Sequence, residues 1–302
     1  MTHNFQFGLL RYSSVNIGDE IQSIAASRFL PRIDCLVPRD KIKKFTSGIK
    51  TKLIMNAWWM WKPKNFPPSK DIEPLLISMH ISRHIRKKFL KPEIKQYLID
   101  HGPVGCRDRD TEEWLKSNNI PAYFSGCLTL TLQRNPLIKR KDYIIAVDIP
   151  HEVEQEIKKR TTRPVYNISR EISPYFTQEE RFQIAKIVLY LYQSAHCVIT
   201  SRLHAAMPCL ALETPVLLLD SNDETIHNDG RYKGLAELCN TVKENDFMAD
   251  KNSYDIATPP AIPLYIWICG ISLLKNVLNL QDLIMNNLCL TKILCPSWNF
   301  SS

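Results

Sequence analysis

Ser201-Arg202-Leu203-His204 stands where an apolar run, Cys197–Thr200, gives way to a helical pattern. Arg202 and His204 are two apart, so in extended geometry they project to one side while Leu203 turns into the core. A guanidinium fork, an imidazole and the N–H groups of a helix start together make a site for a carboxylate or phosphate. The imidazole adds an acid or base that titrates near neutrality. The same residues admit a structural use, with Arg202 paired to a carboxylate and His204 serving only as an N-terminal helix residue.

Two further stretches have the same strand-to-helix character. His101-Gly102-Pro103-Val104-Gly105-Cys106-Arg107-Asp108 shapes a turn into a short strand whose carboxyl end delivers Arg107. A surface ion pair with Asp108 is the plainer use of that arginine. In Asn16-Ile17-Gly18-Asp19, Gly18 permits a positive φ and Asp19 can cap a helix. His80 and His84 have a spacing that suits zinc on a helix, but no Glu or third ligand accompanies them as in H-E-x-x-H, so no metal is expected. Trp58, Trp59 and Trp61 suit either a sugar-stacking platform or interior packing. Arg83, Arg86, Lys87, Lys88 and Lys91 alternate with Ile85, Phe89 and Leu90. That pattern predicts an amphipathic helix with a solvated basic face, able to attract an anionic glycan or lipid headgroup.

The elements that position these residues follow from short apolar runs alternating with helical periodicity, the signature of α/β layers on parallel sheets. Strands are predicted at Phe5–Tyr12, Ile33–Val37, Lys52–Trp58, Pro74–Met79, Val104–Arg107 and Ala122–Phe124. A helix capped by Asp110 or Thr111 follows Arg107. After a basic, Pro-containing linker, Asp142–Asp148, Pro164–Ile168, Cys197–Thr200 and Pro215–Asp220 continue the pattern as strands. Thr177-Gln178-Glu179-Glu180 is a capping box before a helix, and Ala205–Leu212 is a helix after His204. The division is residues 1–135 as one domain, 142–255 as a second that carries Ser201–His204, and 256–302 as an apolar tail. Between Ile256 and Ser302 only Lys275, Asp282 and Lys292 are charged. The tail fits a packed segment, a membrane-surface anchor or a shifted reading frame near Ala261; its uninterrupted apolar core is shorter than a membrane-spanning helix.

Composition excludes several classes. With 302 residues, 44% hydrophobic, 23% charged and a formal net charge of +8, the chain is an ordinary globular one rather than disordered, collagenous or polytopic. Glycine is scarce, at 9 residues, and neither G-x-G-x-x-G nor G-K-[ST] occurs, so a glycine-cradled nucleotide is not expected. The 9 cysteines form no C-x-x-C, and a reducing compartment fits them. The N-terminal residues lack a signal-peptide pattern, so a cytoplasmic location is expected. No nucleic-acid reading module is evident.

Four motifs taken in order carry a family resemblance: Asn16-x-Gly18-Asp19, Gly102-Pro103-x-Gly105-x-Arg107-Asp108, Ser125-Gly126-Cys127-Leu128-Thr129 and Ser201-Arg202-Leu203-His204-Ala205. Together they resemble the polysaccharide pyruvyl transferase family over roughly residues 5–250. The resemblance implies two Rossmann-like domains in a GT-B-like arrangement with a cleft between them. It implies transfer of a pyruvyl group from phosphoenolpyruvate to two hydroxyls of a sugar, as a cyclic ketal. His204 and Arg202 then match catalytic positions, Arg107 and Ser201 donor-binding ones, and Asn16 and Asp19 a loop that shapes the cleft. The partners so implied are phosphoenolpyruvate as donor substrate and a glycan or lipid-linked sugar as acceptor, with peripheral membrane contact and no cofactor. The family commonly has glycine where Glu213 precedes Thr214-Pro215, so a left-handed backbone there would strain this chain. Two rival functions are a glycosyltransferase of similar architecture that uses a nucleotide sugar, and a non-catalytic glycan-binding relative.

Overall fold

The computed structural model describes residues 4–60, 62–221 and 230–262. Three sheets result, each with every pairing parallel. The first contains β1 (Phe5–Arg11), β2 (Cys35–Pro38), β3 (Lys50–Ile54) and β5 (Ile72–Leu75), in the order β2-β1-β3-β5. The second contains β4 (Ala57–Trp59), β6 (Met79–Ile81), β7 (Val104–Cys106) and β8 (Ala122–Phe124), in the order β4-β6-β7-β8. The third contains β9 (Ile144–Val147), β10 (Val165–Ile168), β11 (Cys197–Thr200), β12 (Val216–Asp220) and β13 (Asn240–Lys243), in the order β10-β9-β11-β12-β13.

The predicted strands Lys52–Trp58 and Pro74–Met79 are each two strands in different sheets. Each run is mostly apolar with a single polar residue, Asn56 or Ser78, at the break, which reads as a minor interruption of one strand. At the first break Asn56 is fully buried and its amide donates to the Gln22 carbonyl at 2.9 Å. At the second, Ser78 has φ of 52°, and its N–H donates to Ser125 Oγ at 3.1 Å. Polar side chains there take over the backbone pairing that a continuous strand would supply.

Helices connect the strands: α1 (Ile17–Ser27), α2 (Arg86–Phe89), α3 (Pro92–Asp100), α4 (Arg109–Ser117), α5 (His151–Lys159), α6 (Gln178–Ser194), α7 (Leu203–Ala211) and α8 (Glu244–Met248). The capping box at Thr177 and Glu180 is present at the start of α6. Asp108, rather than Asp110 or Thr111, caps α4 by accepting from the Thr111 N–H at 2.9 Å. The predicted basic helix does not form as one unit. A 3-10 turn (Arg83–Ile85) leads into the short α2, and Arg83 and Arg86 both grip Asp110. His80 lies on β6, not on a helix facing His84.

The largest apolar cluster joins α1 (Ile21, Ile24) to α6 (Leu189, Tyr192) and α7 (Leu203, Met207). A second, around Trp59, Phe66 and Phe89, lies among the first two sheets. A third fills the far face of the third sheet and takes in Ile256. Residues 263–302, on which the expectations for the apolar tail fall, lie outside the described residues. No helix among the described residues is long and apolar enough to cross a membrane.

Candidate functional site

The imidazole of His204 organises the site. β11 ends at Thr200, whose Oγ1 accepts from the Arg202 N–H at 3.0 Å and turns the chain. Arg202 is the N-cap of α7, with extended dihedrals, so Leu203 goes into the core and Arg202 and His204 line a cavity of about 470 Å³. Ser201 is not among the residues lining it. Its hydroxyl donates to the Asp148 carbonyl at 3.1 Å and its carbonyl accepts from the Tyr232 hydroxyl at 3.0 Å, so it braces the turn.

The first turn of α1 meets His204 from the opposite wall. Asn16, not Asp19, is the N-cap, and Asn16 Oδ1 accepts from the Gly18 N–H at 3.0 Å. That bond leaves the amide nitrogen facing His204 Nδ1 at 3.2 Å. From this network Nδ1 is assigned as the acceptor, and the neutral ring carries its proton on Nε2. Gly18 does not have a positive φ. Its requirement is space: a Cβ there would stand 2.6 Å from His204 Cβ and nearer still to the ring nitrogen. Asp19 is buried, accepts from the Ser14 hydroxyl at 2.6 Å and pairs with Arg39 at 3.3 Å.

Arg107 completes the constellation from the end of β7. Its N–H donates to the Met79 carbonyl at 2.8 Å, which continues the sheet and fixes the outward step of the side chain. Asp108 is fully buried and hydrogen-bonded to His80 Nδ1 at 2.6 Å, so it does not form the surface pair anticipated for Arg107. Burial opposes ionisation of Asp108, but His80 and Arg107 outweigh it and hold its carboxyl below the usual range. The Arg107 side chain is only 3% exposed, its Nε has no hydrogen-bond partner, and no carboxylate pairs with it among the described residues. Arg107 Nη1 lies 3.4 Å from His204 Nε2. Two N–H groups therefore converge, and an anionic oxygen entering between them would accept from both.

The charge around this point is lopsided. Arg39, Arg107, Arg170, Arg202 and Arg231 line the cavity against Asp19 and Glu171. Asp148, at φ of 48° just after β9, takes Arg170 at 2.8 Å and Arg202 at 3.4 Å and holds both forks near the opening. Burial, and then Arg107, pushes the His204 imidazole down to about 3, so it is neutral at physiological pH. Arg39, Arg170, Arg231 and Asp148 were not foreseen from the sequence; of these, only Asp148 carried a signal, as a carboxylate at a strand's carboxyl end. Trp58 reaches the cavity, Trp59 is fully buried in the interior, and Trp61 lies outside the described residues. His101 is exposed and stacks on Tyr97 with centroids 4.1 Å apart, away from the cavity.

Comparison with known proteins gives two findings. The family model of polysaccharide pyruvyl transferases matches residues 16–223, a span that contains Asn16, Arg107, Arg202 and His204. A crystal structure of a functionally uncharacterised protein from Klebsiella pneumoniae is similar, with a TM-score of 0.51 and 15% identity. The similarity covers 80% of this chain and 92% of that one, and it concerns the fold. No curated protein matches the sequence significantly.

Proposed function

We propose that this chain, which belongs to the polysaccharide pyruvyl transferase family, transfers the pyruvyl group of phosphoenolpyruvate to two hydroxyls of a glycan sugar as a cyclic ketal. The observation that carries the reading is the buried guanidinium of Arg107, paired with no carboxylate among the described residues and facing the Nε2 of His204. An ion buried without a partner costs several kcal/mol, a cost expected where a ligand supplies the counter-charge. Phosphoenolpyruvate bears up to three negative charges on a small frame, and the cavity's surplus of arginines over carboxylates matches it.

In the reaction, His204 in its protonated form delivers a proton to the methylene carbon, and the neighbouring carbon becomes electrophilic. A sugar hydroxyl attacks that carbon and its proton restores the imidazolium. Phosphate leaves with the bonding pair of its ester oxygen, and the second hydroxyl closes the ring, its proton passing to the departing phosphate. Arg107 and Arg202 stabilise the carboxylate and phosphate oxygens through this sequence. Asn16 keeps the imidazole turned toward Arg107. A GT-B-like pairing of two Rossmann-like domains suits the parallel sheets, since the cavity gathers residues that follow the carboxyl ends of β1, β7 and β11.

The test is incubation of the purified protein with phosphoenolpyruvate and a panel of glycans. Phosphate release together with new ketal methyl signals in the NMR spectrum is the expected result. A requirement for a nucleotide sugar, with phosphoenolpyruvate untouched, would overturn the assignment.

A further inference from the structure

Two more cavities adjoin the one that holds His204. The second, of about 610 Å³, shares Ser14 and Arg39 with the first and adds Lys41, Lys44, Lys62 and Lys64. The third, of about 470 Å³, shares Lys62 and Lys64 with the second and adds Lys43, Lys88 and Lys91. The second and third form one lysine-lined track that opens into the first. Its lysines are all exposed, and none has an ion pair with a carboxylate among the described residues. Among the described residues the acids lining the second and third cavities are Asp40, which Arg39 holds at 3.2 Å, and Glu93.

The lysines are held outward by what lies beneath them. Ile42 in the 3-10 turn Arg39–Lys44, Phe66 after the 3-10 turn Pro63–Asn65, and Phe89 in α2 are each buried to 2% exposure or less. Seven like charges gathered on one face repel one another, so the arrangement favours an anionic occupant. We propose that the acceptor is an acidic glycan, a chain bearing carboxylates along its length, which lies on this lysine track with its reacting sugar at the first cavity. This rests on reading the first cavity as the donor site.

Three features favour a glycan over other polyanions. The track opens into the cavity that contains His204, so a chain lying along it reaches the reacting centre. Its charges are flexible ammonium groups without guanidinium forks beyond Arg39, a set that tolerates carboxylates at varied spacing. Among the described residues that line the second and third cavities the aromatic one, Phe66, is buried, so none of them offers a platform for stacking nucleobases.

The experiment is a fluorescence-anisotropy titration of the full chain, without donor, using a labelled galacturonic-acid hexamer and a labelled neutral glucose hexamer. The acidic chain should bind and the neutral one should not. The exposed pairs K62Q/K64Q and K88Q/K91Q should each weaken acidic-chain binding by on the order of tenfold and flatten its salt dependence. K243Q/K251Q, which removes two exposed lysines of the third-sheet region, should leave binding unchanged. Equal binding of the neutral hexamer, no effect of the track variants, or an equal effect of K243Q/K251Q would each overturn the proposal. So would stronger competition by inorganic diphosphate, which assigns the track to a phosphorylated carrier, or by single-stranded DNA of equal charge. Phosphoenolpyruvate binding is followed separately by thermal shift. Its failure in the unmodified protein removes the donor reading and leaves the glycan titration to be judged on its own.

Discussion

The proposed reaction requires His204 to change protonation state when donor arrives, and the structure sets how large that change must be. With the imidazole held at about 3 in the free protein, protonating it at pH 7 costs about 5 kcal/mol. His204 is only half-buried and lines the cavity, which makes that figure an upper bound. A unit negative charge about 4 Å away contributes about 4 kcal/mol at an effective dielectric constant near 20. Two net charges from bound phosphoenolpyruvate therefore suffice, even after part of their field is spent on Arg107, Arg170 and Arg231. The expected result is that the His204 ring nitrogens report a neutral, Nε2-protonated ring in the free protein and an imidazolium in the donor complex at pH 7, read by 15N NMR. His204→Asn should then keep donor affinity within about tenfold while lowering turnover by on the order of 10²–10⁴. A ring that stays neutral in the complex would refute the reasoning and leave His204 as a hydrogen-bond donor only. The same depression has a stability consequence. The unfolded imidazole titrates near 6.5 and the folded one near 3, so the unfolded state binds the extra proton between those values. Stability contributed at neutral pH is therefore lost as pH falls from about 6.5 toward about 3, and H204N should show a shallower loss in acid unfolding.

Arg107→Met should stabilise the protein by roughly 1–3 kcal/mol, seen as a higher melting temperature, because it removes a buried charge that no carboxylate pairs with among the described residues, while abolishing the thermal shift given by phosphoenolpyruvate; a destabilised variant that still binds donor would refute the anion-clamp role. Arg202→Lys should weaken donor binding measured by calorimetry, since a point charge does not reproduce the fork, and unchanged affinity would refute it. Gly18→Ala should leave the far-UV circular dichroism intact, because alanine suits a helix start, yet lower turnover by on the order of 100-fold by displacing the imidazole it would strike; wild-type kinetics would show that the ring has room to move. Glu213→Gly should stabilise the protein in a denaturant titration by about 1 kcal/mol, since Glu213 sits at φ of 60°. An unaltered midpoint would show that the strain is relieved elsewhere.

How much of this was legible in the sequence depends on whether a residue's role is set by its neighbours along the chain. The third sheet was readable almost strand by strand, because Cys197–Thr200 and the segment ending at Asp220 are bounded by turn residues and flanked by helical periodicity. The left-handed backbone at Glu213 was anticipated only through the family resemblance, which has glycine there, and its φ of 60° bears that out. The breaks at Asn56 and Ser78 were not legible, because the residues that satisfy them, Gln22 and Ser125, lie far off in sequence. Arg39 was equally invisible. It sits in a lysine-rich turn that looks like surface, and only folding brings Asp19, Tyr12 and Trp58 around it.

Gly18 shows why the motif at Asn16 could be found before it could be explained. A glycine beside a helix start reads most simply as a left-handed turn, and that inference uses only the residues next to it. Its actual constraint is an imidazole 186 positions later in the chain. The same long-range contact accounts for Asn16, which spends its carbonyl on the helix cap and thereby commits its amide to His204. Capping geometry and tautomer choice are thus one event. Removing the cap should disturb catalysis as well as the helix, and a side chain that restores the cap without an N–H donor, such as serine, should restore only the helix.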